Sequence, residues 1–122
     1  YTLLEKESKR IISKLNSYKI NTILSSTKDR PTYWNTFLSL EGIQIAAKTG
    51  TSNKNYKGII RANNLWTIGY TPQIVTVVWS GNTSGKALNA SASGLMASGP
   101  IMNDFMEFAH KDLKKETWKF PK

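Results

Sequence analysis

The stretch Gly42-Ile43-Gln44-Ile45-Ala46-Ala47-Lys48-Thr49-Gly50-Thr51-Ser52-Asn53 fits two incompatible local structures. A phosphate-binding loop needs a glycine, four residues, a second glycine, then Lys and Ser or Thr, so that backbone N–H groups wrap an anion. Gly42 and Lys48-Thr49 stand at that spacing, but Ala47 takes the place of the second glycine. Ile43 to Ala46 read as a strand rather than a flexible cradle, and Gly50-Thr51-Ser52-Asn53 is a poor start for the long helix such a loop feeds. The nucleotide reading fails on both counts, and residues 43–51 are expected to form a β-strand.

On a strand, two-residue alternation puts Lys48 and Gly50 on one face and Thr49 and Thr51 on the other. Gly50 leaves its face without a side chain, so an extended peptide can lie along the strand and bond to its backbone. Lys48 offers fixed positive charge to a carboxylate or a nearby hydroxyl, and the threonines offer hydroxyls. A backbone N–H at the strand end can aim at a developing oxyanion, an effect worth about 2.7–4 kcal/mol per donor. Alternation leaves open whether Lys48 and both threonines serve one ligand. The triad by itself fits an ordinary strand with a surface lysine equally well.

Outward from this strand, Leu65 to Tyr70 and Ile74 to Trp79 read as a second strand pair about a turn at Thr71-Pro72. The run Ile74-Val75-Thr76-Val77-Val78-Trp79 is nearly continuous in β-branched residues, as in a strand covered on both faces. Asn53 to Asn64 is polar and glycine-bearing, an expected exposed loop, and Gly81 to Gly99 reads as a loop edging the sheet. Pro100 suits the first position of a helix whose apolar stripe is Ile101, Met102, Phe105, Met106, Phe108, Ala109 and Leu113, all expected in the core. Asp104 and the later lysines are matched to its dipole. Upstream, residues 1–13 read as a β-hairpin about Glu7-Ser8-Lys9, Leu15 to Leu24 as a short amphipathic helix, and residues 25–42 as a loop rich in turn formers. The expected fold class is α+β, an antiparallel sheet packed by helices.

The 122 residues make one domain or part of one, since domains commonly run to about 100–150 residues. There is no cysteine, which excludes a disulfide framework, a cysteine nucleophile and a thiolate metal site. The single histidine, His110, cannot build a metal cluster and is expected at the surface; no metal or cofactor is expected. No apolar run approaches the 18 or so residues of a membrane-spanning helix. Tyr1 opens the chain in place of an initiator methionine, an expectation that sequence upstream is missing. The formal charge of +9, from 17 Lys and Arg against eight Asp and Glu, favours anionic partners or serves only as a solvated surface. The sequons at Asn82 and Asn89 read as chance.

Four segments, Lys48 to Asn53, Leu65 to Pro72, Val77 to Asn82 and Ser98 to His110, occur in this order at sensible spacing. Together they resemble the C-terminal part of penicillin-binding protein transpeptidase domains, most closely the bifunctional class A type. The likeness runs from about Ile20 to His110 and is densest from Ala46 to Asn82. It implies a partial serine β-lactamase/transpeptidase-like fold over 1–122, with the Lys48-Thr49-Gly50 strand lining the active-site cleft. In that family the lysine, here Lys48, orients the substrate and a neighbouring serine as part of the catalytic group. Thr49, Gly50 and Thr51 fall at substrate-binding positions, with the threonine hydroxyls on the carboxylate of a D-Ala-D-Ala stem peptide or a β-lactam. The Thr51 N–H forms half of the oxyanion hole. The implied partners are the peptidoglycan stem peptide, β-lactams and the remainder of the transpeptidase domain. The implied location is the outer face of the bacterial cytoplasmic membrane, anchored by a segment outside this chain, with a glycosyltransferase in the parent protein.

The family's nucleophile opens an S-x-x-K helix upstream of this strand, followed by an S-x-N motif. Ser25-Ser26-Thr27-Lys28 and Ser80-Gly81-Asn82 satisfy the bare patterns. The first lies in a turn-rich loop and the second follows the lysine strand in the wrong order, so both read as decoys. The chain is accordingly expected to lack acyl transfer alone. Two other classes remain open at this point: a non-catalytic wall- or protein-interaction module with a transpeptidase-like half-domain, and a basic nucleic-acid binder. No nucleic-acid motif supports the second, and no nucleic-acid partner is expected.

Overall fold

Strand β1, Ala46–Tyr56, pairs antiparallel with β2, Ile59–Tyr70, which pairs with β3, Val75–Gly81, giving a three-stranded sheet of order β1-β2-β3. The computed structural model describes residues 9–122. Ahead of the sheet come α1, Lys14–Ser25, a single 3₁₀ turn at Thr32–Trp34, and α2, Asn35–Leu38. After it come α3, Gly94–Ala97, and α4, Gly99–His110.

Ser13 caps α1, its hydroxyl accepting from the Asn16 N–H at 3.1 Å. At the other end the Arg30 guanidinium donates to the carbonyls of Leu24, Ser26 and Leu38 at 2.8–3.0 Å. A fixed cation there satisfies carbonyls that the helix end leaves unpaired. Burial lowers the pKa of this group, and its three acceptors keep the charge compensated.

The β1–β2 hairpin is longer than expected: Asn53 to Asn64 is strand and turn, not a loop. Lys57 and Gly58 both take positive φ, 52° and 83°, the requirement of a tight type I′ connection. Asn55 Oδ1 accepts from the Gly58 N–H at 2.9 Å and holds the turn. Lys-Gly is a weaker hairpin signal than Asn-Gly, so polarity outweighed it in the sequence. The register slips between Ser52 and Asn53, where Asn63 bulges from β2.

One face of the sheet is covered by α2, α3 and α4. The core there consists of Leu38, Ile45, Ala47, Leu95, Met102 and Met106, with Trp34, Phe37, Leu40, Ile74 and Val78 packed around it. Gly69 in β2 is where Met102 fits: a Cβ would collide with its sulfur and press on Ile45 Cδ1 at 3.1 Å. The opposite face carries Trp66, Ile68, Val75, Val77 and Trp79, all substantially exposed. The β-branched run of β3 is therefore covered on one face only, contrary to the expectation of two. Trp66 and Trp79 pair across the strands at 6.4 Å, and Tyr70 packs edge-on to Trp118 at the end where α1 approaches.

Several other expectations change. Residues 9–13 are not strand, and residues 1–8 of the expected hairpin lie outside the described residues. The segments 25–42 and 81–99 each hold a short helical element rather than loop alone. On α4 the methionines are fully buried, but Ile101, Phe105 and Phe108 are exposed, because at spacings of four and three they form a face of their own beside the one that carries Met102 and Met106. Asp104 lies beyond the first turn, where the dipole is felt less, and Leu113 lies past the helix end.

His110 is buried at 5% exposure, not at the surface. Its Nδ1 donates to the Met106 carbonyl at 2.8 Å, an acceptor-only partner, and its Nε2 is hydrogen-bonded to Thr71 Oγ1 at 2.9 Å. Thr71 Oγ1 in turn accepts from the N–H groups of Gln73 and Ile74 at 3.2 Å. This network ties the β2–β3 turn to the end of α4. Thr71→Val leaves an imidazole nitrogen and two turn N–H groups without their partner. It is expected to cost about 2–3 kcal/mol, read as a lower urea midpoint with an unchanged m-value.

Candidate active site

Thr49 and Thr51 project from β1 toward α3 and line a cleft of about 370 Å³ with Tyr33, Trp34 and Ser93 to Met96. Their cross-strand partners Thr67 and Leu65 are buried, which places both threonines on the helix-covered face. Lys48 lies on the other face, as strand alternation demands, and is exposed. Its side chain bounds a second cleft with Leu24, Ser26, Asp29, Arg30 and Trp34, and its Nζ donates to the Thr49 carbonyl at 2.6 Å. Trp34 borders both clefts, so the two hydroxyls and the ammonium sit on either side of one strand edge.

The close approach of α3 makes the threonine cleft. A Cβ on Gly94 would stand 2.6 Å from the Trp66 carbonyl oxygen, 3.0 Å from that of Gly50 and 3.4 Å from Thr49 Cβ. Only hydrogen fits there. Thr67 Oγ1 donates to the Gly94 carbonyl at 2.9 Å and fixes the approach from below. Ser93 caps α3, its hydroxyl accepting from the Met96 N–H at 3.3 Å. Neither Ser93 nor Gly94 was singled out from the sequence, where both sit in a run of small residues.

Gly50 presents its open face beside Trp66, whose Cβ lies 3.6 Å from where a Gly50 Cβ would be. Just past Thr51 a polar chain crosses the three strands. Trp79 Nε1 donates to Asn64 Oδ1 at 3.0 Å, Asn64 Nδ2 to Ser52 Oγ at 2.9 Å, and Ser52 Oγ to Asn63 Oδ1 at 2.9 Å. It holds β1 in place where the bulge would let it slip.

Ser25 and Ser80, the serines of the two bare motif matches, have hydrogen-bond partners within the chain. Ser25 closes α1 instead of opening a helix, donating to the Thr22 carbonyl at 3.4 Å and accepting from Gln44 Nε2 at 3.2 Å. Ser98, the residue ahead of α4, donates to the Leu65 carbonyl at 3.3 Å, so Ser80 is the donor in its 2.9 Å bond to Ser98. Asn82 Nδ2 donates to the Lys86 carbonyl.

The sequence matches the model of the penicillin binding protein transpeptidase domain over residues 2–107. This chain belongs to the penicillin-binding protein transpeptidase family. It is 33% identical over 112 residues to penicillin-binding protein 1A of Rickettsia prowazekii, covering 92% of this chain and 13% of that protein. Penicillin-binding protein 1A of Neisseria gonorrhoeae is 32% identical over 77 residues, 63% of this chain and 9% of the other. Among solved structures, PonA1 of Mycobacterium tuberculosis in complex with penicillin V superposes with a TM-score of 0.63. That match has 25% identity and covers 84% of this chain and 27% of the other. A second PonA1 structure superposes at 0.53 with 30% identity. The α+β arrangement is thus a partial transpeptidase fold, and the chain spans a small fraction of the length of its relatives.

Gly94→Ala is expected to push α3 off β1 and to cost about 1–3 kcal/mol, because its neighbours are backbone oxygens that cannot turn aside. A thermal melt reads the loss, and faster amide exchange at Thr67 would locate it.

Proposed function

We propose that residues 1–122 are the C-terminal portion of a peptidoglycan D,D-transpeptidase domain of the class A type. In this reading β1 is the wall of the substrate cleft. Thr49 and Thr51 hold the terminal carboxylate of a D-Ala-D-Ala stem peptide or a β-lactam. The Thr51 N–H contributes half of the oxyanion hole, Gly50 admits the peptide backbone, and Lys48 orients the nucleophile. The serine that becomes acylated, the glycosyltransferase and the membrane anchor belong to the parent protein, outside this chain. The parent works at the outer face of the bacterial cytoplasmic membrane.

The observation that carries the reading is the pairing of two threonine hydroxyls on one face of an edge strand, opening on a cleft walled by Ser93 to Met96. A cation, Lys48, stands across the same edge, one residue away. Such donors act on a carboxylate by charge-assisted hydrogen bonds, the strong kind. The exposed Trp66, Ile68, Val75, Val77 and Trp79 and the outer edge of β3, which no described strand pairs, suit the remainder of the transpeptidase domain, which would cover them. Among the described residues no helix is long and apolar enough to cross a membrane.

Fluorescent penicillin is expected to label the parent protein covalently and to leave this chain unlabelled; labelling of this chain at Ser25 would sink the reading. In the parent, Thr49→Val and Thr51→Val are each expected to slow acylation about tenfold to a hundredfold, from about 1.5–3 kcal/mol per hydrogen bond to a charged group. Acylation kinetics unchanged by both substitutions would remove the carboxylate role.

A further inference from the structure

We infer that the far half of the β1–β2 hairpin is an anion-binding subsite that takes a second carboxylate of the peptide held on β1. This rests on the carboxylate-cradle reading above and extends it. Lys54 and Arg61 stand directly opposite each other in the ladder. Alternation puts both side chains on the face that carries Lys48 and Gly50. Like charges directly across a strand pair are destabilising. Nothing in the sequence nearby relieves them: no Asp or Glu occurs between Glu41 and Asp104, while Lys48, Lys54, Lys57, Arg61 and Lys86 all do.

Arg61 adds a second, independent sign. Its Nε is buried and has no hydrogen-bond partner among the described residues. A guanidinium presents its donors in a fixed planar fork, suited to bidentate recognition of a carboxylate. Arg61 as a whole is half-buried, and a carboxylate that meets the outer part of its fork offsets the repulsion between the two cations.

The geometry fits one occupant. Beyond β2, no described strand pairs with β1, so its outer edge is open to an added strand. A peptide lying antiparallel along it, with its C-terminal carboxylate at Thr49 and Thr51, sends its upstream residues toward Lys54. Lys54 is three residues beyond Thr51, about 10 Å at the usual strand rise. A carboxylate borne about three residues upstream of the peptide's C-terminus therefore reaches the Lys54–Arg61 pair. Lys57, at the turn and 5.9 Å from the Tyr56 ring centroid, extends the positive field to the tip.

The test uses the parent protein and two synthetic acyl peptides ending in D-Ala-D-Ala. One carries Glu three residues upstream of the terminal residue and the other carries Gln there. Binding is read by calorimetry at low and at high salt. The Glu peptide is expected to bind about tenfold more tightly at low salt, with the preference shrinking as salt rises. Lys54→Gln/Arg61→Gln is expected to erase the preference, and Lys54→Glu, which can pair with Arg61, to reverse it. Both variants should melt at or above the parent's temperature, since each removes a like-charge pair, and that melt certifies their folding. Equal affinity of the parent for the two peptides would overturn the subsite and leave the threonine cradle standing. A preference that survives in the folded double variant would do the same. Failure of the parent to bind either peptide would overturn the cradle itself, and the subsite with it.

Discussion

The helical layer and the sheet meet so closely that a single hydrogen atom separates them at Gly94. Around that point a set of buried hydroxyls pins the layers to the middle strand: Thr67 to the Gly94 carbonyl, Ser98 to the Leu65 carbonyl, and Ser80 to Ser98. Apolar packing of Met102 and Met106, both fully buried, has little directional preference. These directional hydrogen bonds set where α3 sits over β1, and hence the width of the cleft that Thr49 and Thr51 line. Were α3 to ride higher, the same threonines would face open solvent.

The sheet is finished on one side only. Its helix-covered face holds small or polar side chains at close contacts, whereas the other face shows two tryptophans and three aliphatic residues to solvent. Contiguous exposed apolar surface of this kind marks an interaction face. The polar chain from Trp79 through Asn64 to Ser52 runs along that face and steadies the lysine strand without needing a cover. The part of the molecule that shapes the threonine cleft is therefore organised within this chain, and the part that is uncovered lies away from it.

Buried polar residues carry more of the architecture than their number suggests. His110, Thr71, Thr67 and Ser98 are all buried, and each is hydrogen-bonded at a junction between elements. Arg30 does likewise for three carbonyls where α1 ends. Polar groups inside a protein are tolerated when paired, and here the pairs fall where a turn, a helix end and a strand converge.

Much was legible in the sequence because it depends on neighbours along the chain. The lysine strand, the two strands about Thr71-Pro72, the helix from Leu15 and the helix after Pro100 follow from periodicity of two or 3.6 and from proline and serine at element ends. Lys48 opposite Thr49 and Thr51 follows from alternation alone. The burial of His110, the exposure of Phe105 and Phe108, the single cover of β3 and the approach of Ser93 and Gly94 to the threonines were not legible. Each depends on which distant element arrives at which face. The hairpin over residues 53–64 was hidden for a related reason: its polar side chains resemble a loop, and only the positive φ at Lys57 and Gly58 turns them into paired strands. Local backbone preference is written residue by residue, whereas the partner that fills the space beside a residue is set by packing across tens of residues.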